Sequence, residues 1–284
     1  SCVLFTCTYY GSLEDVRLEC CVDFLKTARS AGLRVIVVDD SPLEAVRDAM
    51  REAGAQVRKQ REKGKKGVAL REALQLAAET GAEWLCWQEA EKADMAIHWT
   101  KALATTTDDV ACVVPSRDDA FFRETYPRDQ YFSENFANGY VAAAAKQFAS
   151  FDEPIDWHFG PFALRRSVKA YWLKHRGELW DAQVVPIVQL IRDGLAVRSV
   201  VVPFRAPLAM KAMEEGNFAF LEKRLMQINF LDPKVVAAFK NDSNLEAASS
   251  SSSLFSSSTF VGGAVLSVVL LVGSAFLVAR RPCF

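Results

Sequence analysis

The sequence predicts an α/β protein: a doubly wound, mostly parallel sheet flanked by helices, followed by a C-terminal transmembrane helix. Over the first 120 residues, short apolar runs alternate with segments of helical periodicity, a pattern typical of consecutive βαβ units. Several of these runs end abruptly in polar residues, as strands do where open α/β sheets bind ligands. Residues 260–279 contain no charged side chain, and twenty such residues can span a bilayer as a helix.

The elements of the first half follow from apolar runs and from start and stop signals. The predicted strands are 2–8, 33–38, 55–57, 84–87 and 110–115. Ser12 and Asp15 have the spacing of a capping box, so the first helix is expected to begin at Ser12 and to end at Gly32. Three more helices are predicted in this half. The second helix ends near Ala53, the third ends at Gly81, and the fourth spans 96–105.

The pattern changes after Pro115, and no internal repeat is visible. Three helices and two strands are expected here. The predicted helices span 128–148, 180–192 and 211–230, and the predicted strands span 159–164 and 196–202. We therefore expect one domain over residues 1–240, made of two halves at 1–120 and 121–240.

Composition limits the possible functions. The chain has 284 residues, is half hydrophobic, and carries a formal charge of -1. That size and apolar content suit one large domain or two small ones. The near-neutral charge gives no indication of nucleic-acid binding. Its seven cysteines lack a CxxC pair, so they predict buried free thiols instead of a zinc site or a disulfide framework.

The C-terminus is predicted to be a membrane anchor. Residues 241–259 read as a serine-rich linker, 260–279 as the transmembrane helix, and 280–284 as a short tail. A buried core helix is the alternative, and the Arg-Arg-Pro-Cys-Phe ending disfavours a lipid-anchor signal. Arg280 and Arg281 favour a cytoplasmic tail and a lumenal domain, in the endoplasmic reticulum or the Golgi. A cytosolic domain with a tail anchor stays open.

Two acids follow the apolar run 84–87. Glu89 and Glu91 are separated by one residue, and oxygen ligands so placed can converge on a divalent cation. If the strand stays extended as far as Glu91, both side chains point to the same face and repel each other. A bound cation or a nearby lysine would relieve this repulsion, and the candidate lysines are Lys65, Lys66 and Lys92. The alternative is that the strand breaks into a solvated acidic turn.

Two more polar segments occupy comparable positions. Asp39 and Asp40 follow the second strand, where an acid can accept hydrogen bonds from a base or a ribose; a turn formed by Asp-Asp-Ser-Pro is the alternative. Lys65 and Lys66 belong to a basic loop that leads into a helix, with Arg71 one turn further on. Such a loop can face phosphates, or it can simply be solvated.

Together these segments resemble the GT-A glycosyltransferases, and especially the family 2-like nucleotide-diphospho-sugar transferases. The matching segments are Thr6-Cys7-Thr8-Tyr9, Val37-Val38-Asp39-Asp40-Ser41, Gly64-Lys65-Lys66-Gly67 with Ala69-Leu70-Arg71, and Glu89-Ala90-Glu91. In that family the second-strand acid binds the nucleotide, and an Asp-X-Asp pair binds a metal that bridges the diphosphate. The departure here is Glu-Ala-Glu, whose longer side chains change the geometry at a metal.

The resemblance implies a role for each matching residue. The implied donor-binding residues are Thr8, Asp39, Asp40, Lys65, Lys66, Arg71 and Glu89. Glu89 and Glu91 would hold Mn²⁺ or Mg²⁺, and His158 could be a third ligand, although a lone histidine is more often structural.

The resemblance also implies that residues 1–120 form a nucleotide-sugar half and residues 121–240 an acceptor half. The acceptor half offers two candidate catalytic acids. Gln130, Glu134 and Asn138 lie four residues apart along one predicted helix, a polar stripe that suits sugar binding or a solvated face. Glu134 is the acid of this stripe. Asp181 lies where inverting relatives place their general base.

We expect a membrane-anchored glycosyltransferase that moves a sugar from a nucleotide-diphosphate donor to an unknown glycan, lipid or protein acceptor. One alternative is a catalytically inactive nucleotide-binding protein of the same fold, which the altered acidic motif suggests. Another is a phosphate-signalling receiver or a nucleotidyltransferase on a similar sheet.

Overall fold

The computed structural model describes residues 1–241, so the predicted linker, transmembrane helix and tail lie outside the described residues. The strands are β1 Cys2–Thr8, β2 Val35–Asp39, β3 Gln56–Lys59, β4 Trp84–Trp87, β5 Val110–Arg117, β6 Phe162–Arg165 and β7 Ala196–Val202. The helices are α1 Val16–Ser30, α2 Glu44–Glu52, α3 Lys66–Glu79, α4 Met95–Ala104, α5 Asp119–Thr125, α6 Arg128–Ala149, α7 Ala170–Lys174, α8 Asp181–Arg192, α9 Leu208–Glu214 and α10 Phe218–Lys240. Within this range, no helix is both long and apolar enough to cross a membrane.

The seven strands form one mixed sheet in the order β3-β2-β1-β4-β6-β5-β7. Strands β1 to β4 pair in parallel, as do β5 and β7, whereas β6 runs antiparallel to both β4 and β5. The expected mostly parallel sheet is therefore confirmed. The carboxyl ends of the six parallel strands share one edge of the sheet, and β6 begins at that same edge.

Helices cover both faces of the sheet, as the doubly wound prediction requires. Strand β1 is apolar on both faces, because its alternate side chains point to opposite sides of the sheet. Val3 and Phe5 pack in the core layer that includes α3, α8 and the end of α10. Leu4 packs in the layer that includes α1, α2 and α4. The six cysteines of residues 1–241 are free thiols, four of them buried, as predicted.

Three details of the helices differ from the sequence predictions. Helix α1 is capped by the Asp15 side chain, which accepts a hydrogen bond from the Arg17 amide, so the helix begins one turn after Ser12. The single helix predicted over 211–230 is two helices. Gly216 lies between them with φ +70°, and Asn217 caps α10. A single helix was predicted because the helical spacing of apolar residues continues across this break. The glycine adopts the left-handed conformation that ends α9. Helices α5 and α7 are short and were not predicted.

Candidate active site

A cavity of about 820 Å³ opens at the carboxyl edge of the sheet, where the predicted site segments end. One side of it is formed by the residues after β1, β2 and β3 and by the start of α3. The turn after β4 lies at its centre, and α9 and the first half of α10 line the opposite side. Side chains far apart in the sequence therefore meet in one space.

The two second-strand acids have different environments. Asp39 is fully buried, and it accepts hydrogen bonds from the Thr8 hydroxyl at 2.8 Å, the Ser41 hydroxyl at 2.6 Å and the Arg47 guanidinium at 2.9 Å. Asp40 lines the cavity, and its carboxylate pairs with Lys63. Asp39 thus holds the turn after β2 in place, whereas Thr8 and Asp40 line the cavity.

The basic loop divides in a similar way. Lys65 and Lys66 line the cavity, and Lys65 pairs with Glu178 at 3.3 Å. Arg71 does not line it, because its guanidinium donates to the carbonyl oxygens of His175 and Gly177 at 3.0 and 2.8 Å. The structure therefore places Arg71 in a contact that ties α3 to the loop before α8.

Gly67 allows that close approach. Its amide donates to the Glu178 carbonyl at 2.8 Å, and a Cβ at this position would lie 2.2 Å from the Gly177 carbonyl oxygen. No side chain can occupy that space unless the backbone moves. The loop that carries Glu178 and Asp181 is thus packed directly against the start of α3.

Glu89 lies between two lysines. Oε1 accepts from Lys66 Nζ at 3.1 Å and from the Gln183 amide at 2.8 Å, and Oε2 accepts from Lys92 Nζ at 3.1 Å. Burial alone would raise the pKa of Glu89, but the two lysines and the amide lower it well below its usual range. Gly160 packs against this carboxylate, since a Cβ there would lie 2.6 Å from Oε1. Glu89 is therefore an ionised, closely held group.

Glu91 is the free acid of the pair. Strand β4 ends at Trp87, and the Glu89 carbonyl accepts from the Lys92 amide at 3.0 Å, so the motif lies in a turn instead of an extended strand. Glu91 lines the cavity and makes no hydrogen bond or ion pair with the described residues. One free carboxylate beside a second suits a cation that takes its other ligands from a diphosphate, as Mg²⁺ usually does.

His158 does not join the two glutamates in a cluster. Its Nε2 lies 3.0 Å from Asp232 Oδ1, and its side chain is fully buried. Residues 1–241 hold no group of three histidine, cysteine or acidic side chains arranged to bind a metal. The residues present thus fit a cation that arrives with the diphosphate, held by glutamate and phosphate oxygens. The ligand role of His158 stays a prediction, and its contacts favour the structural alternative.

A buried arginine lies at the centre of a network of charged side chains beside the cavity. Arg117, the last residue of β5, donates to Asp156 at 2.6 and 2.8 Å and to Glu134 at 2.8 Å. Its guanidinium carbon lies 3.5 Å from the centre of the Phe122 ring. Arg224 of α10 also pairs with Glu134, at 2.7 Å. Both arginines line the cavity.

The two candidate catalytic acids lie behind the cavity wall. Glu134 is fully buried between Arg117 and Arg224 and does not line the cavity. Asp181 accepts from the Leu179 amide at 3.0 Å and from Lys234 at 3.1 Å, and it does not line the cavity either. Their catalytic roles stay predictions, and this geometry favours a role in positioning the loop and the arginines.

Several cavity residues had no signal in the sequence patterns. Arg117 could have been found from its place at the carboxyl end of a strand, the criterion that selected Asp40. Gln183, Arg224 and Lys223 belong to helices whose orientation only the fold reveals. Lys92, in contrast, is a candidate partner of the acidic pair from the sequence, and the turn at the end of β4 brings it to Glu89.

Several solved structures are similar to this protein in fold. No protein-family model and no curated protein sequence matches the chain. The crystal structure of Mycobacterium tuberculosis glucosyl-3-phosphoglycerate synthase is similar in fold, with a TM-score of 0.56 at 13% identity over 84% of this chain and 81% of that one. Mannosyl-3-phosphoglycerate synthase from Rubrobacter xylanophilus gives 0.52 at 14% identity over 83% and 73%.

A third structure holds ligands. The mycobacterial synthase in complex with Mn²⁺, UDP-glucose and phosphoglyceric acid gives a TM-score of 0.50 at 12% identity, over 84% of this chain and 80% of that one. Identities this low establish a shared fold, and the arrangement of strands and cavity agrees with it. The chain therefore has the GT-A-type fold of the nucleotide-diphospho-sugar transferases, as its four motif segments predict.

Proposed function

We propose that this protein is a glycosyltransferase that takes a sugar from a nucleotide-diphosphate donor. The observation that carries the proposal is that Asp40, Lys66, Glu89 and Glu91 converge on one cavity at the carboxyl edge of a GT-A-type sheet. This edge is where open α/β sheets bind ligands. The similar structures include one with UDP-glucose and Mn²⁺, which supports the same donor class here.

Each cavity residue has a role that follows from its chemistry. Asp40 accepts hydrogen bonds from the base or the ribose of the donor. Lys65 and Lys66 bind the diphosphate at the start of α3 and stabilise the negative charge that develops as the sugar departs. A divalent cation, when bound with the diphosphate by Glu91 and Glu89, would add positive charge at the same place.

The far side of the cavity suits an acceptor. Arg224 and Lys223 contribute cationic groups, while Met210, Met213 and Phe220 present apolar surface. Glu134 holds Arg224 in position. The acceptor is a molecule with polar or anionic groups that fits this mixed surface, and its identity stays open among glycans, lipids and proteins.

A donor screen tests the proposal. The full-length protein in detergent is heated with each common nucleotide sugar, with and without Mn²⁺, because a ligand that binds the native state raises the melting temperature. One nucleotide sugar should stabilise the protein and then be cleaved when acceptors are added. Binding without any turnover would favour the inactive binding protein, and phosphotransfer to Asp40 would favour the receiver.

Replacing Asp40 with alanine should weaken nucleotide binding by about 1–3 kcal/mol, roughly 5- to 150-fold, since a charge-assisted hydrogen bond is lost. Calorimetry with the nucleotide found in the screen measures this change. Asp48→Ala is the matched control, because Asp48 is exposed on α2 and does not line the cavity. Equal affinities for the two variants would remove Asp40 from the site.

The membrane anchor is a second part of the proposal. Residues 260–279 are free of charge, so the protein should remain in the membrane pellet after carbonate extraction. Leu270→Arg with Leu271→Arg places two charges mid-span, at about 2.5–3.5 kcal/mol each, and should release the protein. A soluble wild type would contradict the anchor. Protease protection in sealed microsomes then tests the lumenal orientation in the endoplasmic reticulum or Golgi.

A further inference from the structure

Two lysines share one carboxylate at the centre of the cavity. Lys66, at the start of α3, and Lys92, in the turn after β4, each place Nζ 3.1 Å from a different oxygen of Glu89. Both side chains also lie near an aromatic ring, Lys66 at 5.7 Å from Trp87 and Lys92 at 5.6 Å from Phe159. The three charged groups carry a net positive charge, and all three line the cavity.

In this arrangement the donors to Glu89 compete with a cation for its carboxylate oxygens. Both of its oxygens accept hydrogen bonds, and Gln183 adds a third donor at 2.8 Å. Two ammonium groups beside a bound cation would also repel it. A diphosphate has the opposite effect, because its oxygens can accept from the same two lysines. Lysine side chains are long and flexible enough to turn from one anion to another.

We propose that Lys92 binds the donor diphosphate together with Lys66, and that Glu89 is the counter-ion that holds both lysines in place until the donor arrives. The inference rests on the proposed function, since it names how that donor is held. When the diphosphate binds the lysines, Glu89 is released and can join Glu91 at a cation. Diphosphate and cation therefore favour each other's binding, and by linkage the effect is reciprocal.

The simpler alternative is that Lys92 only stabilises the turn after β4. The two glutamate–lysine contacts would then be ordinary ion pairs, and Lys92 and Glu89 would matter for stability alone. The two explanations predict different changes in nucleotide affinity. If Glu89 competes with the diphosphate for the lysines, removing its charge strengthens nucleotide binding in the absence of metal. Removing the charge of Lys92 weakens it.

The test measures the binding of UDP, ADP, GDP and CDP to the full-length protein in detergent, by calorimetry with EDTA present. Lys92→Gln should weaken binding of the preferred nucleotide about 10-fold, and Glu89→Gln should strengthen it about threefold. Lys92→Arg keeps the charge and should stay within about threefold of wild type. Lys101→Gln, an exposed lysine on α4 away from the cavity, is the matched control.

A second measurement uses Mn²⁺ alone, followed by electron paramagnetic resonance. Wild type should bind Mn²⁺ weakly without nucleotide and at least 10-fold more tightly with it, whereas Lys92→Gln should bind Mn²⁺ more tightly than wild type without nucleotide. The wild-type comparison holds even if a variant fails to fold. Equal nucleotide affinity of wild type and Lys92→Gln would overturn the inference alone. Failure of all four nucleotides to bind wild type would overturn the proposed function as well.

Discussion

Replacing Arg117 with alanine should lower the free energy of unfolding by about 3–5 kcal/mol, because it leaves two buried carboxylates without their shared partner. Asp156 would lose both of its arginine hydrogen bonds, and Glu134 would keep only Arg224 and Gln130. The ring of Phe122 would also lose the guanidinium that covers it. Urea unfolding followed by circular dichroism measures the change.

Arg123→Ala is the control for this experiment. Arg123 lies on the same short helix as Phe122 but is exposed and pairs with Asp119 at the surface, so its loss should change stability by less than about 1 kcal/mol. Equal effects of the two substitutions would show that the buried network contributes little.

The same network predicts a response to acid. Burial alone would raise the pKa values of Glu134 and Asp156, but their arginine partners lower both below the usual range. Because the folded pKa values are depressed, their stabilisation is present above the unfolded values near pH 4 and is lost as the pH falls through the folded ones. Without Arg117 both pKa values rise, so Arg117→Ala should unfold at a higher pH than wild type.

Replacing Glu91 with glutamine should reduce Mn²⁺-dependent donor cleavage at least about 100-fold, since it removes the free carboxylate beside the diphosphate. The substitution keeps the shape of the side chain and makes no change to the Glu89 contacts, so the melting temperature should stay close to that of wild type. The rate is measured with the donor found in the screen, with Mn²⁺ and with chelator.

Glu52→Gln, an exposed glutamate on α2, is the control and should cleave the donor at the wild-type rate. Chelator should bring wild type down to the level of Glu91→Gln. If wild type is indifferent to chelator while Glu91→Gln is inactive, Glu91 orients the sugar instead of a metal. Normal activity of Glu91→Gln would make Glu91 a solvated residue of the turn.

The strands could be predicted because their residues carry the information locally. The bounds of β1, β4 and β7 match the predicted ones, since each strand stands out as an apolar or β-branched run. Asp40 and Lys66 were found for a related reason, as they follow strands or open a helix at the ligand edge. When a residue lies next to the end of a strand or the start of a helix, its place in the sequence indicates its position in the fold.

The partners of the buried charges could not be predicted in this way. Glu134 belongs to a polar stripe on one helix face. No nearby feature of the sequence indicates that its partners are Arg117 and Arg224. These partners are 17 and 90 residues away and belong to other elements. The difference between Asp39 and Asp40 is similar, because only the position of Arg47 shows which acid is buried.

The antiparallel strand β6 has a consequence for the order of folding. Strands β1 to β4 can pair as soon as residue 87 is available, but β4 meets no neighbour on its other side until residues 162–165 have been made. Until then the backbone edge of Trp84–Trp87, the most aromatic strand, is open to pairing with another chain. Strand β6 thus joins the two parts of the sheet in its middle, before β7 is added at the edge. The nascent chain therefore depends on its second half to protect its first.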